Sequence, residues 1–329
     1  MELVMKRLAL ALLTALTATT AFGPTSAEDW LDRPFPPQPI TAIMMGDMNF
    51  THYSPKYTRE VSDVSEQCEH TLRAHRLADA WTLAGHPESA RDTIPRAGDW
   101  DAAAAQMRRF SAKVTKLVPG NHDVGYSPAA LSAEQRMAPE RRQNYLERVG
   151  PDFWQFDYGD WRFIGLNPFL LESGFDAEAE QRAMVVEALS YSGPIGVFTH
   201  VPFFSDYPNE VDLDTAATVT PRPRADYIGL FKAANVRFVA SGHIHRNKRV
   251  IVDGITHIWV PGTAFMQSTP SPLGGVPWVG FLEMTFSGER FSIVTHEPED
   301  MINMDLRNWS RGSEHRYFRI VEHPHRSPV

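Results

Sequence analysis

The sequence has one cysteine, Cys68, in 329 residues. An intrachain disulfide is therefore impossible, and so is a zinc cluster of thiolates. Any metal must be held by His, Asp, Asn or Glu. Positive charge is also short: the formal net charge is −8, whereas proteins that grip a nucleic-acid backbone usually present a basic surface. A nucleic-acid polymer is thus not an expected partner, although bound metal ions can supply local positive charge for a small anion. Long apolar runs are missing beyond the N-terminus, so no later stretch reads as a membrane span. Internal repeats and low-complexity blocks are absent too. With 43% hydrophobic and 22% charged residues, the composition is that of a globular protein with a substantial core.

At the N-terminus, Lys6 and Arg7 precede an apolar, Thr-diluted run from Leu8 to Phe22, followed by small residues up to Ala27. This is the pattern of a cleaved secretory signal over residues 1–27, and it leads us to expect export to a periplasmic or secreted location with no membrane span after cleavage. Residues 28–39 form a Pro-rich lead-in. Residues 40–300 read as the functional domain, and 301–329 as a polar tail without clear pattern.

Within that domain short apolar runs alternate with helical segments, and polar loops follow the runs. Ile40 to Met45 leads to Gly46-Asp47, Ala80 to Ala84 to Gly85-His86, and Thr115 to Val118 to Gly120-Asn121-His122-Asp123. Ile195 to Phe198 leads to Thr199-His200, and Val236 to Ala240 to Gly242-His243-Ile244-His245. Strand C-terminal ends are where open α/β sheets bind ligands. Phe153 to Leu166 reads as a hairpin turning at Gly159-Asp160, Ala177 to Ser190 and Asp226 to Ala234 as helices, and Phe281 to Thr295 as a second hairpin. These features predict a layered α/β domain of mixed sheets flanked by helices. His243 and His245, if extended, would face the same way and reach one metal pair.

The polar loops resemble, in order, the motifs of the calcineurin-like metallophosphoesterase family. Gly120-Asn121-His122-Asp123 is similar to its GNHD signature, and Gly242-His243-Ile244-His245 to its closing GHxH. Phe198-Thr199-His200 is similar to the strand-end histidine between them, and Gly46-Asp47 to the opening GD of the purple-acid-phosphatase branch. The resemblance runs from about residue 40 to residue 264. It implies a metallophosphoesterase-type β-sandwich carrying one or two divalent or trivalent ions (Mn, Fe or Zn). Asp47 and His245 would hold one metal, and Asn121, His200 and His243 the other. A metal-bound hydroxide would then attack a small phosphorylated substrate. His122 would serve as the acid for the leaving group, with Asp123 as its orienter. The segment 236–264 looks like exported cyclic-nucleotide phosphodiesterases, which favours diesters over monoesters.

Two positions depart from the family pattern. Asn49 stands where the opening motif usually has a histidine. The loop expected to carry a carboxylate bridging both metals ends in His86, while Asp99 follows a poor strand nearer to Asn121. A neutral imidazole has one lone pair and cannot bridge two ions as a carboxylate does. The tyrosine of the purple branch is missing at both candidate positions, so iron–tyrosinate chemistry is not expected. The alternative reading is a non-catalytic metal- or phosphate-binding member of the fold. His257 is expected to be structural, the aromatics of 153–163 to be core, and Phe203, Phe204 and Tyr207 to shape a pocket for an organic leaving group.

Overall fold

Alternating β-branched and aromatic residues build two sheets in the computed structural model. It describes residues 40–45, 81–84, 114–126, 136–210, 217–263, 266, 273–297, 304–305 and 319–320. The strands are β1 (Ile40–Met45), β2 (Trp81–Ala84), β3 (Val114–Leu117), β4 (Trp154–Tyr158), β5 (Trp161–Leu166), β6 (Ile195–Thr199) and β7 (Val236–Ser241). They continue with β8 (Lys248–Val252), β9 (Ile255–Trp259), β10 (Phe281–Ser287), β11 (Arg290–His296), β12 (Met304–Asp305) and β13 (Arg319–Ile320). One sheet has the order β11-β10-β1-β2-β3, the other β4-β5-β6-β7-β9-β8, and β12 pairs with β13.

The six-stranded sheet has a parallel centre, β5-β6-β7-β9, with antiparallel β4 and β8 at its flanks, while the five-stranded sheet is parallel over β1-β2-β3, with β3 at its edge, and antiparallel through β10 and β11 on the other side. This is the mixed, layered α/β architecture expected from the sequence.

Side-chain alternation assigns the two faces of the six-stranded sheet. Trp161, Phe163, Phe198, Phe238, Ala240 and Ile258 point inward and meet Leu282, Met284 and Phe286 of the opposite sheet. Trp161 is 1% exposed, and its indole donates to the Gly288 carbonyl at 2.6 Å. The Trp154 indole likewise donates to the Leu117 carbonyl at 2.6 Å, tying β4 to the end of β3 across the sandwich. Gly196 leaves room for the Phe238 ring, because a Cβ there would overlap it. A register shift at Ile195/Gly196, opposite Val236 and Phe238, turns Val236 to the outer face while Phe238 stays inside.

The outer face is covered by helices. In chain order these are α1 (Asn121–Val124), α2 (Pro139–Arg148), α3 (Asp176–Ala188) and α4 (Pro221–Lys232), with a 3-10 turn at Pro168–Leu170. Ala177, Gln181, Val185 and Ala188 form one buried stripe on α3 at helical spacing. Tyr227, Ile228 and Phe231 do the same on α4.

Helix α4 starts at Pro221, ahead of the expected Asp226, because prolines are tolerated in a first turn, where backbone N–H groups have no helical partner. Strand β8 and helix α2 went unassigned in the sequence. The first lies at a sheet edge with Arg249 and Ile251 outward, and the second is strongly polar with only Tyr145 buried. The tail contains the two-residue pairing β12–β13. The expected helices at 66–76 and 101–113 lie outside the described residues.

Candidate functional site

Three strand ends from two sheets meet at one edge. After β3, Val118, Pro119 and Gly120 lead into the single turn α1, which begins at Asn121. The Asp123 carboxylate accepts the Gly120 N–H at 2.8 Å and fixes the entry to that turn. Asn121 is 3% exposed and Asp123 is fully buried. Burial, with the Asp123 and Asp152 carboxylates nearby, pushes the Tyr145 phenol well above its ordinary range, so α2 faces α1 with a neutral tyrosine.

His200 follows β6 and His243 follows β7. The Gly242 N–H donates to the His200 carbonyl at 3.0 Å, binding the two loops together. His200 Nε2 lies 2.8 Å from Asn121 Oδ1, His243 Nδ1 lies 3.0 Å from it, and the two ring nitrogens are 3.1 Å apart. The three atoms form a triangle of two imidazole nitrogens and an amide oxygen.

Such a donor set suits a first-row transition ion. With bonds near ~2.1 Å, donors at right angles around one cation sit about 3.0 Å apart. The observed separations match that spacing, so the residues present fit one metal ion. Among the described residues no three His, Cys, Asp or Glu side chains cluster suitably, and the set needs the asparagine amide to complete it.

The extended His243-Ile-His245 arrangement expected from the sequence is not what forms. His243 and His245 both have left-handed backbone, φ 69° and 52°. The Ile244 N–H closes a tight turn on the Gly242 carbonyl at 2.8 Å. Non-glycine residues in this region cost of order 1 kcal/mol each, and such strain concentrates at functional sites. The chain must fold back at once from β7 into β8, and Ile244 drops into a small apolar cluster with Trp259. His245 is 7% exposed beside it.

Aromatic rings back the triangle. Phe169 stands 5.9 Å from the His200 ring, and Tyr126 stands 6.1 Å from His243 and 6.2 Å from Phe169. Phe169 is held by a buried polar chain. Asn167 accepts the Phe169 N–H at 3.0 Å and donates to Asp152 at 2.9 Å, and Asp152 pairs with Arg142 at 2.8 Å. No sequence motif pointed to Tyr126 or Phe169, since an aromatic residue in a loop has no periodic signature.

Phe203 and Phe204 do not shape a pocket. Both are 2% exposed: Phe203 packs on Tyr227 and Phe231, and Phe204 lies 4.3 Å from the His257 ring. A sharp turn after His200 returns them to the core. Tyr207 alone of that group is exposed, at 58%. Its loop is closed by Glu210, which accepts from the Ser205 N–H and hydroxyl and from the Asp206 N–H. Burial alone would raise the Glu210 pKa, but these donors outweigh it and leave it lowered. His257 is buried in β9 against Phe204, and burial pushes its pKa down to about 4.

Asp47, Asn49, His86 and Asp99 lie outside the described residues, as does the side chain of His122.

No protein-family model matches the sequence. The chain is similar to the serine/threonine-protein phosphatase CPPED1 of Rattus norvegicus, 31% identical over 140 residues, and of Homo sapiens, 30% over 139. Each match takes in 40% of this chain and 41% of the relative, so the chain spans about two fifths of the length of these curated relatives. Among solved structures it is similar to purple acid phosphatase PPD1 from yellow lupin, with a TM-score of 0.54 and 14% identity over 83% of this chain and 54% of that one. It is also similar to GAP50, the anchor in the inner membrane complex of Plasmodium, with a TM-score of 0.50 and 13% identity over 78% and 84%. At such identities the structural likeness speaks for the fold. The shared fold and the partial sequence match agree with the ordered motifs, which resemble those of the calcineurin-like metallophosphoesterase family.

Proposed function

We propose that this chain hydrolyses esters of phosphoric acid with one or two divalent or trivalent metal ions at the shared strand-end edge. The observation that carries this reading is the convergence of Asn121 Oδ1, His200 Nε2 and His243 Nδ1 to within 3.1 Å of one another. When bound, a metal ion supplies positive charge against the phosphoryl oxygens and lowers the pKa of coordinated water. The chain's own part is to hold and orient. Asn121, His200 and His243 would hold one ion, and Asp47 and His245 the neighbouring one. His86 or Asp99 would stand between them. Tyr126 and Phe169 set the histidine rings. His122, next to Asn121 in the chain, is the proposed donor of a proton to the leaving oxygen.

Two features bear on the substrate. The resemblance of 236–264 to exported cyclic-nucleotide phosphodiesterases supports diesters. The partial match to proteins named as phosphatases supports monoesters and is the stronger of the two, so we place small phosphomonoesters first. The leader pattern in residues 1–27 supports export. An N-terminus beginning near Glu28 on protein recovered outside the cytoplasm would support that, and an intact Met1 would oppose it. Among the described residues no helix is long and apolar enough to cross a membrane.

The test is turnover of p-nitrophenyl phosphate and bis(p-nitrophenyl) phosphate by the full chain with Mn2+, Fe2+ or Zn2+. The expected result is monoester turnover that a chelator abolishes and that Asn121→Ala lowers by about 100-fold or more. Faster turnover of the diester would reverse the substrate order. No turnover with any metal, or an Asn121→Ala variant as active as wild type, would sink the enzyme reading. Tight metal binding without turnover would point to a binding role, since a shared fold does not by itself bring activity.

A further inference from the structure

Tyr126 stands just beyond Gly125, whose φ of +88° and closeness to Arg136 leave no room for a side chain: a Cβ there would lie 2.5 Å from the Arg136 carbonyl oxygen. That turn, the bridge between Tyr126 and Arg136, and the Met137 N–H donating to the Tyr126 carbonyl at 2.6 Å bring the tyrosine back over α1. Its hydroxyl accepts the Asn121 side-chain N–H at 2.9 Å, while its ring stands edge-on to His243. One residue therefore touches two members of the triangle.

We propose that Tyr126 is a positioning residue for the metal site, its hydroxyl holding the Asn121 carboxamide with the oxygen towards His200 and His243. This rests on the reading of that triangle as a metal site. A carboxamide has only one end with a lone pair to give, and a half-turn would present N–H groups to the cation. A cation on Oδ1 draws electron density from the amide nitrogen and makes its N–H a stronger donor. The hydroxyl that receives this bond therefore favours the metal-binding orientation, as outer-shell partners of metal ligands do. A carboxylate at position 121 would have an oxygen at both ends and would not need that help.

The test uses Co2+ as probe with the full chain: affinity by competition with a chromophoric chelator, and the d–d absorption of the bound ion. The proteins are wild type, Tyr126→Phe, Asn121→Asp, the double variant and Asn121→Ala. Tyr126→Phe keeps the ring, so circular dichroism and Tm should stay near wild type. It should weaken Co2+ binding by about 10-fold or more and shift the d–d band, in the range usual for outer-shell partners. In the Asn121→Asp background the same change should cost less than about 3-fold, because the orientation no longer matters. An equal loss in both backgrounds would show that Tyr126 acts through packing on His243, and would overturn the proposal. So would unchanged affinity and spectrum in Tyr126→Phe while Asn121→Ala loses binding. If Asn121→Ala binds Co2+ as tightly as wild type, the metal reading fails and the proposal falls with it.

Discussion

His257 offers a stability test that does not depend on the metal site. It sits in β9 between Val239 of β7 and Val250 of β8, is 8% exposed, and packs against Phe204. Burial lowers its pKa from 6.5 to about 4, with Asp253 opposing weakly. Below pH 6.5 the unfolded chain takes up a proton at this residue that the folded chain refuses, so stability falls with falling pH until the folded form also titrates near pH 4. One pKa unit is about 1.4 kcal/mol, so this shift corresponds to about 3 kcal/mol once pH is below 4, and about 2 kcal/mol by pH 5. The perturbation is His257→Gln, with His257→Leu as a second residue that cannot titrate. The assay is urea unfolding of chelator-treated protein at pH 7.5 and pH 5. Titration of His200 and His243 is common to all three proteins and cancels in the comparison. Wild type should lose about 2 kcal/mol more than either variant between those pH values. Equal losses in all three would refute the reasoning, and would mean that the imidazole is charged or hydrated in the fold.

Two other changes test the packing around the site. Gly196→Ala would push a methyl group into the Phe238 ring inside the sandwich; it should destabilise by about 1–3 kcal/mol in thermal or urea unfolding, and no loss would show that the Phe238 ring does not lie over Gly196 on the inner face of this sheet. Asp123→Ala removes the acceptor for the Gly120 N–H at the start of α1, and should cost about 1 kcal/mol of stability and weaken Co2+ binding. Asp123→Asn, which keeps an acceptor oxygen, should recover most of both.

The strand-end motifs were legible because they are local. A short apolar run ending in a polar ligand residue, with a glycine just before it at Asn121 and His243 and a threonine at His200, reads the same in sequence and in structure. The hairpins at 154–166 and 281–296 were equally plain from alternation and turn residues. Helix α2 and strand β8 were not, since one buries only Tyr145 and the other is an edge strand, so neither has a strong apolar period.

What the sequence by itself determined was the set of chemical groups and their order: no thiolates, a suite of His, Asn and Asp at strand ends, and the mixed α/β pattern that carries them. Only the tertiary structure decided how these groups meet. The two sheets stack through Trp161, Phe163, Phe198 and Phe238, and that stacking sets the end of β3 beside the ends of β6 and β7. The left-handed turns at His243 and His245, the return of Phe203 and Phe204 to the core, and the reach of Tyr126 to Asn121 follow from that packing. They depend on contacts between residues far apart in the chain, or on steric fits such as Gly125 against Arg136, which carry no periodic mark in the sequence.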